Sequence, residues 1–137
     1  MGKQEISGSE FLVKILTDMN EKSGFPISVL TDKEGLPIAW ASTSGVYPER
    51  QSAVVAFVQR TALQVSKQLE MNEVEEISFS SVNGQHFICR PFWVENNGFI
   101  LAVAFTSRAK SYRRATNGAI LEIRNVWKQY WESSQWA

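Results

Sequence analysis

The fold is decided by a short stretch of sequence, VLTDKEGLPIA at residues 29–39. A β-rich apolar run leads into the tetrapeptide DKEG at 32–35, and a second apolar run follows from Leu36. Aspartate can bond its own backbone and glycine accepts a positive φ, so the tetrapeptide predicts a turn. The stretch therefore predicts a β-hairpin. Pro37 cannot donate a hydrogen bond to a ladder, so we expect its strand at an edge of the sheet.

Segments on both sides of the hairpin carry apolar residues at intervals of three and four, which predicts amphipathic helices. The first helix follows the polar N-terminus and ends at Gly24 and Pro26. The second spans 48–71, and the last spans 111–131. The second helix has a wide apolar stripe, which must pack against a sheet, another chain, or both.

Further strands are predicted after the second helix, over 74–82, 85–94 and 99–105. Asn83-Gly84 and Asn96-Asn97-Gly98 join them as tight turns, so neighbouring strands are antiparallel. The last strand is continuously apolar and must be covered on both faces. The sequence thus predicts an α/β (α+β) domain, a three-layer sandwich in which a five-stranded antiparallel sheet has one helix on one face and two on the other.

Composition and charge limit the classes of function. The chain has 137 residues, and 14 Lys and Arg balance 14 Asp and Glu, so its charge attracts neither nucleic acid nor an acidic membrane surface. Its apolar runs are too short for direct membrane insertion, and a single cysteine favours a reducing, cytoplasmic compartment. We predict a loose N-terminus at 1–8, one domain at 9–132 and a C-terminal tail at 133–137.

The sequence predicts no catalytic residues, no metal site and no cofactor. His86 is the single histidine and follows a turn, so we expect a solvated strand residue rather than a metal ligand. Cys89 lies in an apolar strand, which favours a buried thiol over a nucleophile. Asp32 should bond the hairpin backbone rather than act as a base. The chain has no glycine-rich phosphate loop, so we expect neither GTP binding nor an enzyme.

The hairpin at 29–39 resembles that of the roadblock (dynein light chain roadblock-type) family. The amphipathic helix at 53–69 and the strand residues GFILAV at 98–103 fit the same family. Longin, profilin and sensor-type domains share this element order, so the order alone does not choose a function. The roadblock resemblance implies the strand order second, first, fifth, fourth, third.

Roadblock domains form homodimers or heterodimers, so the resemblance implies an interface made by the second helix and the third strand. An unpaired apolar edge strand also favours pairing with a second subunit. The alternative for the second helix is an ordinary core helix. The residues expected at the interface are Ala53, Phe57, Val58, Thr61, Ala62, Val65, Ile77 and Phe79.

Other residues near the C-terminus are candidates for binding a partner. They are Arg108, Lys110, Arg113, Arg114, Trp131 and Trp136. The basic residues surround the start of the last helix, where they form either a solvated rim or a docking site for an acidic surface. The two tryptophans are harder to bury than Trp127, which we expect to pack on the sheet, and aromatic anchors are frequent in interfaces.

The resemblance implies a non-catalytic dimeric scaffold or regulator that binds a small Ras-like GTPase. The family includes bacterial GTPase-activating partners of a Ras-like polarity switch, so an expected role is to stimulate GTP hydrolysis by remodelling the GTPase. Two alternatives stay open. One is an adaptor subunit of a motor or membrane-associated complex, and the other is a small-ligand sensor module, which needs a pocket with convergent polar groups.

Overall fold

The hairpin and the later strands form one sheet in a computed structural model of the chain, which describes residues 8–43, 48–106 and 111–132. The elements are α1 (Gly8–Ser23), β1 (Ile27–Asp32), β2 (Pro37–Ser42), α2 (Pro48–Leu69), β3 (Ile77–Ser80), β4 (Gln85–Val94), β5 (Asn97–Thr106) and α3 (Tyr112–Trp127), followed by a π-helical turn at Lys128–Glu132. The strands are antiparallel in the order β2-β1-β5-β4-β3, which confirms the predicted fold class and strand order. The loose N-terminus and the tail stay predictions, because 1–7 and 133–137 lie outside the described residues.

The turn between β1 and β2 is made by the residues predicted to make it. Asp32 Oδ1 accepts hydrogen bonds from the backbone N–H groups of Glu34 (2.9 Å) and Leu36 (3.0 Å). Gly35 has a φ of 92°. A Cβ at Gly35 would lie 2.5 Å from the Cβ of Ala56 in α2, so glycine also lets α2 rest directly on the turn. β2 is an edge strand, as its proline predicted.

One face of the sheet is covered by two helices, α1 and α3, which also pack against each other. The core on this face includes Leu12 and Leu16 of α1, Leu101 of β5 and Ile123 of α3, all fully buried. At the C-terminal end of α3, the ring of Trp127 packs edge-on against Phe99 with ring centroids 4.7 Å apart. This confirms the expected packing of that tryptophan.

The other face is covered by α2 alone, which packs mainly on β1, β2 and β5. Its buried core is small: Val55 and Val58 of α2 meet Cys89, Ile100 and Ala102 of the sheet. The predicted division of the helices, two on one face and one on the other, is therefore confirmed. β3 and the outer part of β4 receive little cover from the helix.

β3 is shorter than the strand predicted over 74–82. Its ladder begins with Ile77 opposite Cys89 in β4. In the same register Glu75 would face Pro91, which has no N–H to donate to a neighbour. The hydrophobic alternation in the sequence could not reveal this, because it depends on which residue lies opposite.

Candidate protein-interaction surfaces

The outer side of α2 carries an apolar stripe that no other described residue buries. Phe57 is 63% exposed, and Val54, Val65 and Leu69 are exposed beside it. Thr61 lies in the same stripe and satisfies its hydroxyl within the helix by donating to the carbonyl of Phe57 at 3.0 Å. Ala53 is also exposed. Four of the interface residues predicted on α2 are thus at the surface, and Val54 and Leu69, which were not predicted there, lie with them.

Two other predicted interface residues lie elsewhere on α2. Val58 is only 4% exposed and packs with Val55 against the sheet, so it lies outside the exposed stripe, although it was predicted at the dimer interface. At about 100° of rotation per residue, Val58 turns inward from the stripe that Phe57 begins. Ala62 is half-buried and lines a groove at the sheet edge rather than the outer stripe.

β3 is a free edge strand with apolar side chains on the α2 side of the sheet. Ile77 and Phe79 pair with Cys89 and Phe87 of β4, which belong to the α2-side core. Phe79 is 52% exposed and Ile77 is half-buried. An exposed, unpaired edge of this kind is a template for pairing with another chain.

The histidine and the cysteine do not form a chemical site. His86 Nδ1 lies 2.9 Å from Ser80 Oγ, and its ring stacks on Phe105 at 5.1 Å. Burial raises the pKa of the Cys89 thiol to about 12, which keeps it protonated and unreactive, and the prediction that it is buried is confirmed. No group of three or more His, Cys, Asp or Glu that could hold a metal occurs in the described part of the chain. Over the same residues, no helix is long and apolar enough to cross a membrane.

The first turn of α3 is tied to the segment before β3. Arg113 pairs with Glu75 at 3.2 Å and with Glu76 at 3.4 Å. Tyr112 donates a hydrogen bond to Glu76 at 2.6 Å, and this bond is the main reason that the pKa of Tyr112 is raised. Arg113 was predicted to bind a partner, and in the structure it forms ion pairs with Glu75 and Glu76 of its own chain. Arg114 is exposed.

The remaining candidates for partner binding lie beyond the part of the chain that the structure describes. Arg108, Lys110 and Trp136 are outside the described residues, as is the side chain of Trp131. Their role stays a prediction.

A groove of about 1140 Å³ opens between the C-terminal half of α2, the end of β4 and α3. Leu63, Trp93 and Leu121 are exposed on its walls, one from each element. Arg90 also lines it, yet is 8% exposed. This groove was not predicted from the sequence, because its residues come from distant segments. The one available signal was a charged residue inside an apolar strand.

The structure is similar to solved structures of roadblock domains. The gliding protein MglB from Thermus thermophilus has a TM-score of 0.73 and 14% identity, covering 92% of this chain and 95% of that chain. The Roadblock/LC7 domain from Streptomyces avermitilis has a TM-score of 0.60 and 13% identity, covering 83% and 92%. This chain has the roadblock fold. No protein-family model and no curated protein matches its sequence.

A structure described as MglB with tetrameric arrangement is also similar to this chain, with a TM-score of 0.72 and 14% identity, covering 93% of this chain and 95% of that chain. At such low identity these likenesses establish the fold alone. Among the surfaces of this chain, the α2 stripe and the β3 edge both carry exposed apolar side chains.

Proposed function

We propose that this roadblock domain is a non-catalytic dimeric scaffold or regulator that binds a small Ras-like GTPase. The observation that carries the proposal is the exposed apolar stripe of α2 next to the free edge of β3. Monomeric soluble proteins rarely expose a contiguous apolar surface of this kind unless it serves an interaction. The GTPase as partner is inferred from the resemblance of the hairpin to the roadblock family.

A second copy of the chain is a natural partner for this surface. Antiparallel pairing of two β3 strands about a two-fold axis would join two five-stranded sheets, and neither subunit would then have a free β3 edge. The same axis would bring the two α2 helices together. Ala53 and Thr61 are small enough to let the helices approach, while Phe57 supplies a large apolar anchor.

The dimer is tested by Phe57→Asp, which places a charge in the centre of the stripe. The wild-type chain has a mass of 15.5 kDa and should sediment with twice that mass at micromolar concentration. We expect Phe57→Asp to sediment as a monomer, because an unpaired charge at a dimer interface costs several kcal/mol. Circular dichroism checks that the variant is folded.

The matched control is Leu63→Asp, which removes an exposed leucine from the groove side of the same helix. It should remain dimeric. A monomeric wild type, or a folded Phe57→Asp variant that keeps the dimer mass, would show that α2 does not mediate dimerisation.

The GTPase is tested with the small Ras-like GTPase encoded nearest to this gene in its genome. Pull-down of its GDP-bound and GTP-bound forms measures binding, and single-turnover GTP hydrolysis measures stimulation. Binding that favours one nucleotide state supports a regulator, and faster hydrolysis would make it a GTPase activator. A dimer that binds neither form would reject the GTPase and favour the adaptor alternative.

A further inference from the structure

The end of β4 is an open strand edge on a different surface from the α2 stripe. β4 pairs with β5 along its whole length, to Val94, but β3 pairs with it only as far as Cys89. Residues 90–94 therefore have a neighbouring strand on one side only. Among the described residues, no backbone hydrogen bond joins this edge to the nearby segment 72–76.

The backbone groups at this edge can be assigned from the register. The carbonyl of Gln85 accepts from Ser81 N–H at 2.9 Å on the β3 side. Because successive residues of a strand turn their backbone groups to opposite sides, Pro91 and Trp93 turn theirs to the open edge. The edge thus offers the carbonyl of Pro91 and the N–H of Trp93, while the carbonyl of Trp93 already accepts from Arg124 Nε at 3.2 Å. This is enough for a short added strand.

Arg90 lies beside this edge, and of its three guanidinium nitrogens only Nη1 hydrogen-bonds to a described residue. Its Nη1 donates to Thr116 Oγ1 (2.8 Å), Asn117 Oδ1 (2.6 Å) and, more weakly, the carbonyl of Arg113 (3.4 Å). Nε is buried without a partner, and Nη2 donates no hydrogen bond to a described residue. Because Nε has no exposed surface, Nη2 is the nitrogen that a ligand can reach, and a carboxylate there would accept a charge-assisted hydrogen bond. A buried cation held only by neutral acceptors is unfavourable, so a carboxylate here would stabilise it.

The rest of the groove limits what the ligand can be. Its walls expose Leu63, Trp93 and Leu121, which suit apolar side chains. Glu73, Glu75 and Glu95 also line it, against Arg90 and Arg124, and Glu75 is paired with Arg113. A groove without net positive charge does not favour a polyanion such as nucleic acid. A single carboxylate flanked by apolar groups fits it better.

We propose that this groove binds an extended segment of a partner protein, which adds a short strand to β4 and places one Asp or Glu carboxylate against Arg90. The proposal does not depend on the GTPase or on the dimer, because the groove lies on the other side of α2 from the stripe. It defines a second interaction surface with its own specificity.

The test begins with selection of phage-displayed random linear peptides on the full-length protein. We expect enriched sequences to carry one acidic residue between β-branched or aromatic residues. Replacing that acid by its amide in a synthetic peptide should weaken binding about 10-fold or more, as expected for the loss of a charge-assisted hydrogen bond. Failure to enrich any peptide, or enrichment of peptides without an acid, would overturn the proposal.

Two variants locate the binding site. Leu121→Asp places a repelling carboxylate on the exposed groove wall and should abolish binding, whereas Val13→Asp, an exposed apolar position on α1 outside the groove, should not change it. Phe57→Asp should still bind the peptide as a monomer, which separates this proposal from dimerisation.

The Arg90 contact has its own readout. In triple-resonance NMR of the wild-type protein, the Nε–H resonance of Arg90 should shift on addition of the acidic peptide and stay in place with the amide peptide. Equal binding to Leu121→Asp and wild type, or a peptide that binds without moving this resonance, would show that the ligand lies elsewhere.

Discussion

The two faces of the sheet are built differently, although both are apolar. On one face α1 and α3 bury leucine and isoleucine from both helices against β1, β5 and β4. On the other, α2 contributes only Val55 and Val58 to a small core and leaves Phe57 and Phe79 exposed. A single helix is about 10 Å wide, and neighbouring strands lie about 4.8 Å apart, so one helix cannot cover five strands. The first face completes the fold within the chain, while the second has apolar surface left over for another chain.

The largest effect that separates the two faces is expected from Leu16→Ala on the α1–α3 side. Leu16 is fully buried, so its loss should lower the free energy of unfolding by about 3 kcal/mol, from lost burial and the cavity left behind. Urea denaturation at several protein concentrations measures it, and the loss should not depend on concentration. Val13→Ala, on the exposed side of α1, should change stability by less than about 0.5 kcal/mol. A loss below about 1 kcal/mol for Leu16→Ala would contradict the assignment of the main core to this face.

A smaller effect is expected from Gly35→Ala, which probes how α2 rests on the hairpin. The alanine Cβ would meet Ala56 in α2 and would also be held at a positive φ, so we expect a loss of about 2 kcal/mol. Gly24→Ala is the matched control, because it has a positive φ but no atom within 4 Å of its Cβ, and it should cost about 1 kcal/mol.

The reactivity of Cys89 measures whether α2 still covers the sheet when its contact with the turn is disturbed. Its thiol is buried in the small core, so its labelling by a thiol reagent should be faster in Gly35→Ala than in Gly24→Ala. Equal stability losses and equal labelling rates in the two variants would show that α2 does not depend on contact with the turn.

The smallest effect concerns pH and the first turn of α3. The hydrogen bond to Glu76 favours neutral Tyr112 and raises its pKa in the folded protein. Its contribution to stability is therefore fully present below the usual tyrosine pKa of about 10 and is lost as pH rises through the folded value. Absorbance titration of the phenolate should show this raised pKa disappear in Tyr112→Phe and fall in Glu76→Gln. An unchanged tyrosine titration in Glu76→Gln would refute the contact.

Much of the fold could be predicted because the signals are local. The turn at Asp32 to Gly35 depends on the conformational freedom of glycine and on a carboxylate that bonds its own backbone. β4 was predicted with the boundaries that the structure gives, Gln85–Val94, because turns with glycine enclose it. The edge position of β2 followed from Pro37 alone. None of these predictions depends on which other segment of the chain lies nearby.

The sequence by itself thus determined the order of the elements, the antiparallel neighbours that tight turns join, and a second helix with a wide apolar stripe. Only the tertiary structure decided that Val58 faces inward, that β3 pairs with β4 only as far as Cys89, and that Arg90 hydrogen-bonds to α3 through Nη1 while its Nε has no partner. The physical reason is that these features depend on register and on contacts between distant segments. Local periodicity predicts which residues form a helix or strand, but not which residue lies opposite them.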